Sequence, residues 1–272
     1  MSVKDTKLIA ALADTQVASK NFNAQGISNI AWSCAAILYR PGPLLQAIAH
    51  EARKILKTFS EQNLANTAWA FAKLSWHDWP LISEISSLAL AQMPQFFPQA
   101  LANMAWSLAT FVVKDSPLLS AIAAKSIDIV EQFNHQNMSN TFWAFATLSF
   151  FHDRLLDVLA GRATATMAEF PVQELVNTSW AVARLAYTHR PLQHALADAV
   201  LSKVHQYRAR DLSNTAWSFA RMKCADSTLL SAICSHALPK LGDCLPQELS
   251  NLAWAMATLQ ILDRPLMDAI AA

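Results

Sequence analysis

Residues 211–222 read DLSNTAWSFARM, and the same pattern recurs as QNLANTAWAFAKL at residues 62–74 and as QELSNLAWAMATL at residues 247–259. The centre of the pattern is N-x-[AS]-W-[AS]-x-A. Its tryptophans follow one another at a spacing of 37 residues, with no insertion or deletion, at Trp32, Trp69, Trp106, Trp143, Trp180, Trp217 and Trp254. Seven copies in strict register identify a repeat protein, and repeats of this length are typical of helix pairs.

Each unit contains two helical patterns. The first has Leu or a similar residue five positions before and five after the Trp, and Asn23, Ser60 and Asn134 are its N-cap candidates, with Pro98 and Pro246 as first-turn prolines. The second helix begins near another set of first-turn prolines, at Pro43, Pro80, Pro117, Pro191 and Pro265. The sequence therefore predicts an all-α fold, a right-handed α-solenoid of seven 37-residue helix-turn-helix repeats.

The domain organisation follows from the same register. We expect a single α-solenoid repeat domain over residues 1–272, with repeats that begin near residues 23, 60, 97, 134, 171, 208 and 245. Residues 5–21 resemble the second helix of a partial repeat, and the last repeat stops inside its second helix. An aromatic residue closes most units, at Phe22, Phe59, Phe96, Phe133, Phe170 and Tyr207. Solenoids need polar capping repeats and none is visible, so we expect the chain to be part of a longer array.

The composition and charge of the chain are typical of a folded intracellular protein. With 53% hydrophobic and 15% charged residues, the chain has the material for a packed core. The net charge is +1, so any site for a polyanion must come from the local placement of charge. The four cysteines form no C-x-x-C pair, which indicates reduced thiols in an intracellular protein. No apolar stretch is long enough for a membrane span, and the N-terminal residues do not resemble a targeting peptide.

Catalytic motifs are missing from the sequence. It contains no H-E-x-x-H, no Gly-rich phosphate loop and no G-x-S-x-G, and its eight histidines scatter over repeat positions without a metal-ligand pattern. His189 and His194 are expected to be surface or boundary residues. The sequence therefore predicts that the protein is not an enzyme, and that it uses no metal, no cofactor and no small-molecule substrate.

The candidate binding surface is a narrow polar stripe on the first helix, whose remaining circumference is apolar. Its centre is the asparagine three residues before each Trp: Asn29, Asn66, Asn103, Asn140, Asn177, Asn214 and Asn251. Glutamines, once replaced by Arg210, stand seven residues before the Trp. Four residues after the Trp stand Lys73, Thr110, Thr147, Arg184, Arg221 and Thr258. We also assign to the stripe Ser107 and Ser218, directly after the Trp, and Arg40, His77 and Lys114, eight residues after it.

Stacked repeats would place these stripes side by side in a groove on the concave surface, with the second helices facing solvent on the convex side. The Trp is expected to be a core residue, because small residues surround it on the wheel. The Asn has two open interpretations, either a structural bond repeated in each unit or a contact to a uniform ligand backbone. Lys73, Arg184 and Arg221 could complement the helix dipole, but their alternation with Thr and Ala on one stripe favours ligand recognition.

The motif resembles that of the octotricopeptide and heptatricopeptide repeat proteins, which are related to the helical repeats found upstream of RAP domains. The resemblance covers nearly the whole chain. It implies sequence-selective binding of single-stranded RNA in mitochondria or chloroplasts, in RNA stability, processing or translation. No RAP domain is present in this sequence.

Three functions remain open at this point. The first is single-stranded RNA binding along the concave surface, roughly one nucleotide per repeat. The second is an armadillo-type scaffold that binds an extended peptide, which the near-zero net charge suits better. The third is a structural subunit of a large ribonucleoprotein that contacts other proteins through its outer helices.

Overall fold

The computed structural model describes residues 23–271, and within this range every regular element is a helix. The expected partial-repeat helix at residues 5–21 and the aromatic Phe22 lie outside the described residues. Helices alternate as first and second members of each repeat: α1 Ala24–Ala36, α2 Gly42–Ile55, α3 Glu61–Lys73, α4 Trp79–Ala91, α5 Pro98–Thr110, α6 Ser116–Asp128, α7 His135–Thr147, α8 Asp153–Thr166, α9 Val172–Arg184, α10 Arg190–Lys203, α11 Ala209–Arg221, α12 Ser227–Ala237, α13 Pro246–Thr258 and α14 Arg264–Ala271. The prediction of an all-α solenoid is confirmed.

The described residues fall into two compact units that divide between Gln132 and Phe133. The first unit holds α1 to α6 and the second holds α7 to α14. Inside each unit, the first helices of successive repeats pack closely along one another, whereas the second helices approach each other less closely. The first helices are therefore the inner layer of each unit. The handedness of the stack and its description as one domain stay predictions.

Helix starts follow the capping chemistry expected from the sequence. The Asn23 side chain accepts the Gly26 N–H at 2.8 Å, and Ser60 and Asn134 begin α3 and α7 with reciprocal capping boxes. Six of the seven described second helices are capped by a side chain that accepts the N–H three residues later, from Asp78, Asp115, His152, His189, Asp226 and Asp263. The exception is α2, which begins after Pro41. His189 is thus a boundary residue, as expected, and its Nδ1 accepts the Leu192 N–H at 3.1 Å.

Aromatic residues close the repeats from inside the core. After α2, α4, α6, α8 and α10 a 3-10 turn leads into an aromatic residue, and these residues, Phe59, Phe96, Phe133, Phe170 and Tyr207, are at most 2% exposed. Two of the four free thiols, Cys34 and Cys234, are also buried, and this burial raises the pKa of each to about 11. Thiols with so high a pKa stay protonated at neutral pH and are poor nucleophiles.

First helices end in a left-handed residue that is never glycine. Positive φ angles recur at Leu38, Ser75, Val112, Ser149, Ala186, Lys223 and Gln260. The residue after each one donates its N–H back into the helix, as Val113 does to the Leu108 carbonyl at 2.8 Å. This is the Schellman arrangement, in which glycine is usual because it has no Cβ.

Replacing Val112 by Gly is expected to stabilise the first unit by about 0.5–1 kcal/mol. Val112 has a φ of 58° and is 75% exposed, so its branched Cβ strains the backbone without contributing packing. Thermal unfolding of the purified chain measures the change. The control is Ala124→Gly at an exposed position inside α6, which should lower stability by about 1 kcal/mol. Equal destabilisation by both changes would show that Val112 carries no strain.

Candidate nucleic-acid interface

The asparagines of the predicted stripe lie at the surface. Asn29 is exposed, and the other six asparagines are half-buried, on the solvent-exposed sides of the first helices. Only two of the side chains are hydrogen-bonded within residues 23–271. The Oδ1 atoms of Asn177 and Asn251 accept from Gln173 and Gln247 of their own helices, at 2.9 and 3.0 Å. No carboxamide of these seven asparagines bonds to a neighbouring helix within residues 23–271. The structure therefore does not support the interpretation that each Asn makes the same structural hydrogen bond in every 37-residue repeat.

Hydrogen bonds between successive first helices are made from a different position, four residues before the Trp. The Ser28 hydroxyl accepts from Asn63 Nδ2 at 3.0 Å, and the Ser213 hydroxyl donates to the backbone carbonyl of Glu248 at 2.8 Å. Each bond joins one first helix to the first turn of the next. Because these serines hold adjacent helices, the asparagines are left available to a ligand.

The cations four residues after the Trp also lie on the surface. Lys73, Arg184 and Arg221 are exposed in the last turns of α3, α9 and α11, and none forms an ion pair with another described residue. Thr258 at the same position is exposed, whereas Thr110 and Thr147 are half-buried and their hydroxyl oxygens are covered, with no hydrogen bond to another described residue. The cations therefore sit where the helix dipole favours them, with their donors unused.

Two parts of the predicted stripe were wrong. Ser107 and Ser218 are buried, at 1% and 0% exposure, and their hydroxyls donate to the backbone carbonyls of Asn103 and Asn214 at 2.6 and 2.7 Å. The residue directly after the Trp lies more than a quarter of a turn from it, which directs its side chain toward the packed layer. A serine there satisfies its own helix backbone instead of reaching a ligand.

The position eight residues after the Trp lies beyond the helix, in the loop that follows it. The Arg40 Nη2 donates to the Ser75 carbonyl at 2.7 Å, and its guanidinium lies 5.7 Å from the Trp76 ring centre. The His77 ring packs at 5.2 Å from that of Trp79. Arg40 and His77 therefore contribute to contacts around the loops, and Lys114 is exposed in the corresponding loop after α5. Helical periodicity does not extend past the helix end, so these residues leave the stripe.

The tryptophans are less completely buried than a core residue. Trp32 and Trp254 are 49% and 43% exposed, and the other five are largely buried with part of each residue still exposed. Two neighbouring pairs of rings lie beside one another, with centroids 6.2 Å apart for Trp69 and Trp106 and 6.4 Å apart for Trp217 and Trp254. On the helical wheel the Trp lies within about 60° of the Asn, so the exposed part of the side chain borders the polar stripe. The stripe is therefore both polar and aromatic.

A cleft of about 540 Å³ in the second unit brings these elements together. It is lined by Trp143, Thr147, Gln173, Val176, Asn177, Trp180, Arg208, Arg210, Asp211 and Asn214, from three successive repeats. Thr147, Asn177 and Asn214 were predicted site residues, whereas the two indoles and Arg208 were not. Replacement of the repeated glutamine by Arg210 was the signal in the sequence that marks this repeat.

Residues 23–271 contain neither a candidate membrane span nor a candidate metal site. No helix there has the length and hydropathy that a membrane span requires. No group of three or more His, Cys, Asp or Glu side chains in that range is arranged to bind a metal ion.

The comparison with known proteins identifies one family. No curated protein matches the sequence. The family of RNA-editing substrate-binding complex 6 proteins (RESC6) matches over residues 1–190 and again over residues 152–272. This match names neither the octotricopeptide nor the heptatricopeptide repeats. Because the two matched segments together span the sequence, the chain belongs to the RNA-editing substrate-binding complex 6 protein family.

Proposed function

We propose that this protein binds single-stranded RNA sequence-selectively along the stripe on its first helices. We further propose that it does not catalyse a reaction. The name of its family refers to a complex that binds the substrate of RNA editing. Together with the resemblance to octotricopeptide and heptatricopeptide repeats, it favours a role in the processing, stability or translation of RNA in an organelle. Protein partners would meet the second helices.

One observation carries the proposal, the coincidence of three ligand-binding features on one stripe. Partly exposed indoles offer surface on which bases can stack, and stacking is tolerant of base identity. Asparagine carboxamides, five of the seven without a hydrogen bond to another described residue, supply donors and acceptors, and the unpaired Lys73, Arg184 and Arg221 supply charge for phosphates. Aromatic platforms interleaved with cations are the usual means of holding a single strand.

A register of about one nucleotide per repeat is supported by the repeat itself. The position four residues after the Trp varies among Ala, Thr, Lys and Arg on an otherwise constant scaffold, which is what reading one base per repeat requires. The two neighbouring indole pairs in contact, Trp69 with Trp106 and Trp217 with Trp254, lie 6.2 and 6.4 Å apart, well above the rise of about 3.4 Å per nucleotide in a stacked strand. Bases held one per repeat would therefore be unstacked from each other and free to face the protein.

An extended peptide is the second candidate ligand. The free asparagine side chains could bond a peptide backbone, and the net charge of +1 is low for a protein that binds a polyanion. The unpaired Arg184 and Arg221, at the same position of two successive repeats in the second unit, favour RNA, because a neutral peptide backbone offers no charge for them to bind.

Binding of a random single-stranded RNA pool at two salt concentrations tests the proposal. If about five phosphates are contacted, affinity should fall by about 100-fold between 50 and 200 mM salt. Affinity should also stop rising once oligonucleotides are longer than the array of repeats. A control with extended peptides of the same length should show weaker binding. Peptide binding with little salt dependence, and no RNA binding, would overturn the proposal in favour of the scaffold.

A further inference from the structure

Two adjoining clefts in the second unit share Arg208 and Arg210. The first is the cleft of about 540 Å³ between the indoles of Trp143 and Trp180. The second, of about 630 Å³, lies at the start of α11 and is also lined by Lys240. The arginines therefore belong to the wall of both clefts, which are of similar size.

Acidic residues also line the two clefts, but their carboxylates form no ion pair with the arginines. Asp211 accepts the backbone N–H of Arg208 at 3.1 Å, and Glu248 accepts the backbone N–H of Leu245 at 2.9 Å, so both carboxylates cap helix starts. Asp243 also lines the second cleft. Neither arginine forms an ion pair with another described residue, and both side chains are exposed. Two unpaired guanidinium groups on one wall present forked donors suited to phosphate oxygens.

The linkage between two nucleotides matches this arrangement. A phosphodiester carries one negative charge and joins two nucleosides that lie on opposite sides of it. The first cleft provides indole faces for one base, with the Asn177 and Asn214 carboxamides beside it. The second cleft gives the adjacent nucleoside a space bordered by Lys240 and His205.

We propose that Arg208 and Arg210 form a phosphodiester anchor, with one nucleoside of the bound RNA in the indole-lined cleft and the next in the adjoining cleft. This inference rests on the proposed RNA-binding function and fixes the register of the strand. Arg210 occupies the position at which the six other repeats carry glutamine. This repeat therefore differs from the rest in having a cationic side chain there that can bind a phosphate of the RNA.

The test is a scan of a bound RNA oligonucleotide in which single phosphates are replaced, one at a time, by uncharged methylphosphonates. In the unaltered protein, one linkage should stand out, with affinity lowered by about tenfold. In the Arg208→Gln, Arg210→Gln variant, overall affinity should be weaker, the salt slope should fall by about 1.4 for two lost contacts, and that one linkage should no longer stand out. The matched control is Arg154→Gln, Arg190→Gln, at exposed positions on second helices, which should behave like the unaltered protein.

The outcomes separate this inference from the function on which it rests. If the unaltered protein binds RNA and the Arg208, Arg210 variant keeps both the salt slope and the sensitive linkage, the anchor is refuted while RNA binding stands. If the unaltered protein binds no RNA at all, the proposed function fails, and the anchor with it. Far-ultraviolet circular dichroism of the variant verifies that the helices are intact.

Discussion

Replacing Lys73, Arg184 and Arg221 together by Glu is expected to lower RNA affinity by about 100- to 1,000-fold at low salt. Each cation lies exposed on the stripe without an ion-pair partner, so under the proposed function we expect it to bind phosphate and to add little to stability. Losing three contacts should also reduce the salt slope by about 2. Fluorescence anisotropy with a labelled RNA at several salt concentrations measures both quantities.

Stability should change little in the same variant. Reversing one charge in the last turn of a helix costs about 0.3–1 kcal/mol, and the three changes fall in separate helices, so the melting temperature should drop by a few degrees. A matched control reverses Lys57, Arg154 and Arg190, three exposed cations away from the stripe. Equal loss of affinity in both variants would show that general electrostatic attraction, rather than the stripe, holds the RNA.

A second pair of changes separates the core aromatic from the surface aromatic. Phe170→Ala is expected to cost about 3–5 kcal/mol of stability, because the ring is completely buried at the junction between repeats. Trp180→Ala should cost clearly less, since its ring is only half-buried. It should instead weaken RNA binding by about 1–3 kcal/mol through the loss of one stacking surface.

Chemical denaturation and RNA titration of both variants measure the contrast. Trp180→Phe is the conservative control and should recover part of the affinity, because a phenyl ring still stacks on a base. If Trp180→Ala proved as destabilising as Phe170→Ala while the folded fraction bound RNA normally, the tryptophans would be structural after all. The expectation drawn from the sequence alone would then be right and the stacking platform wrong.

The features that could be predicted from the sequence alone are those that depend on residues close together in the chain. The 37-residue spacing of the tryptophans set the repeat, and the first-turn prolines and the caps at Asn23, Ser60 and Asn134 set where helices begin. These signals are reliable because capping and backbone restriction act within a few residues. The same locality explains why the Asn stripe and the exposed cations at Lys73, Arg184 and Arg221 could be placed from a helical wheel.

Tertiary structure decided how far each side chain is covered, because that depends on the neighbouring helix. A wheel shows that small residues surround the Trp, but whether the indole inserts between helices or lies across them depends on how closely the first helices pack. In this fold they pack closely, through buried alanines and serine ties such as Ser28 to Asn63, and the rings remain at the surface. The same close packing covers Ser107 and Ser218. Arg208 and Arg210 are close in the chain, but the cleft that they share with two tryptophans forms only when three repeats are stacked. The Trp143 and Trp180 rings come from other repeats than the arginines.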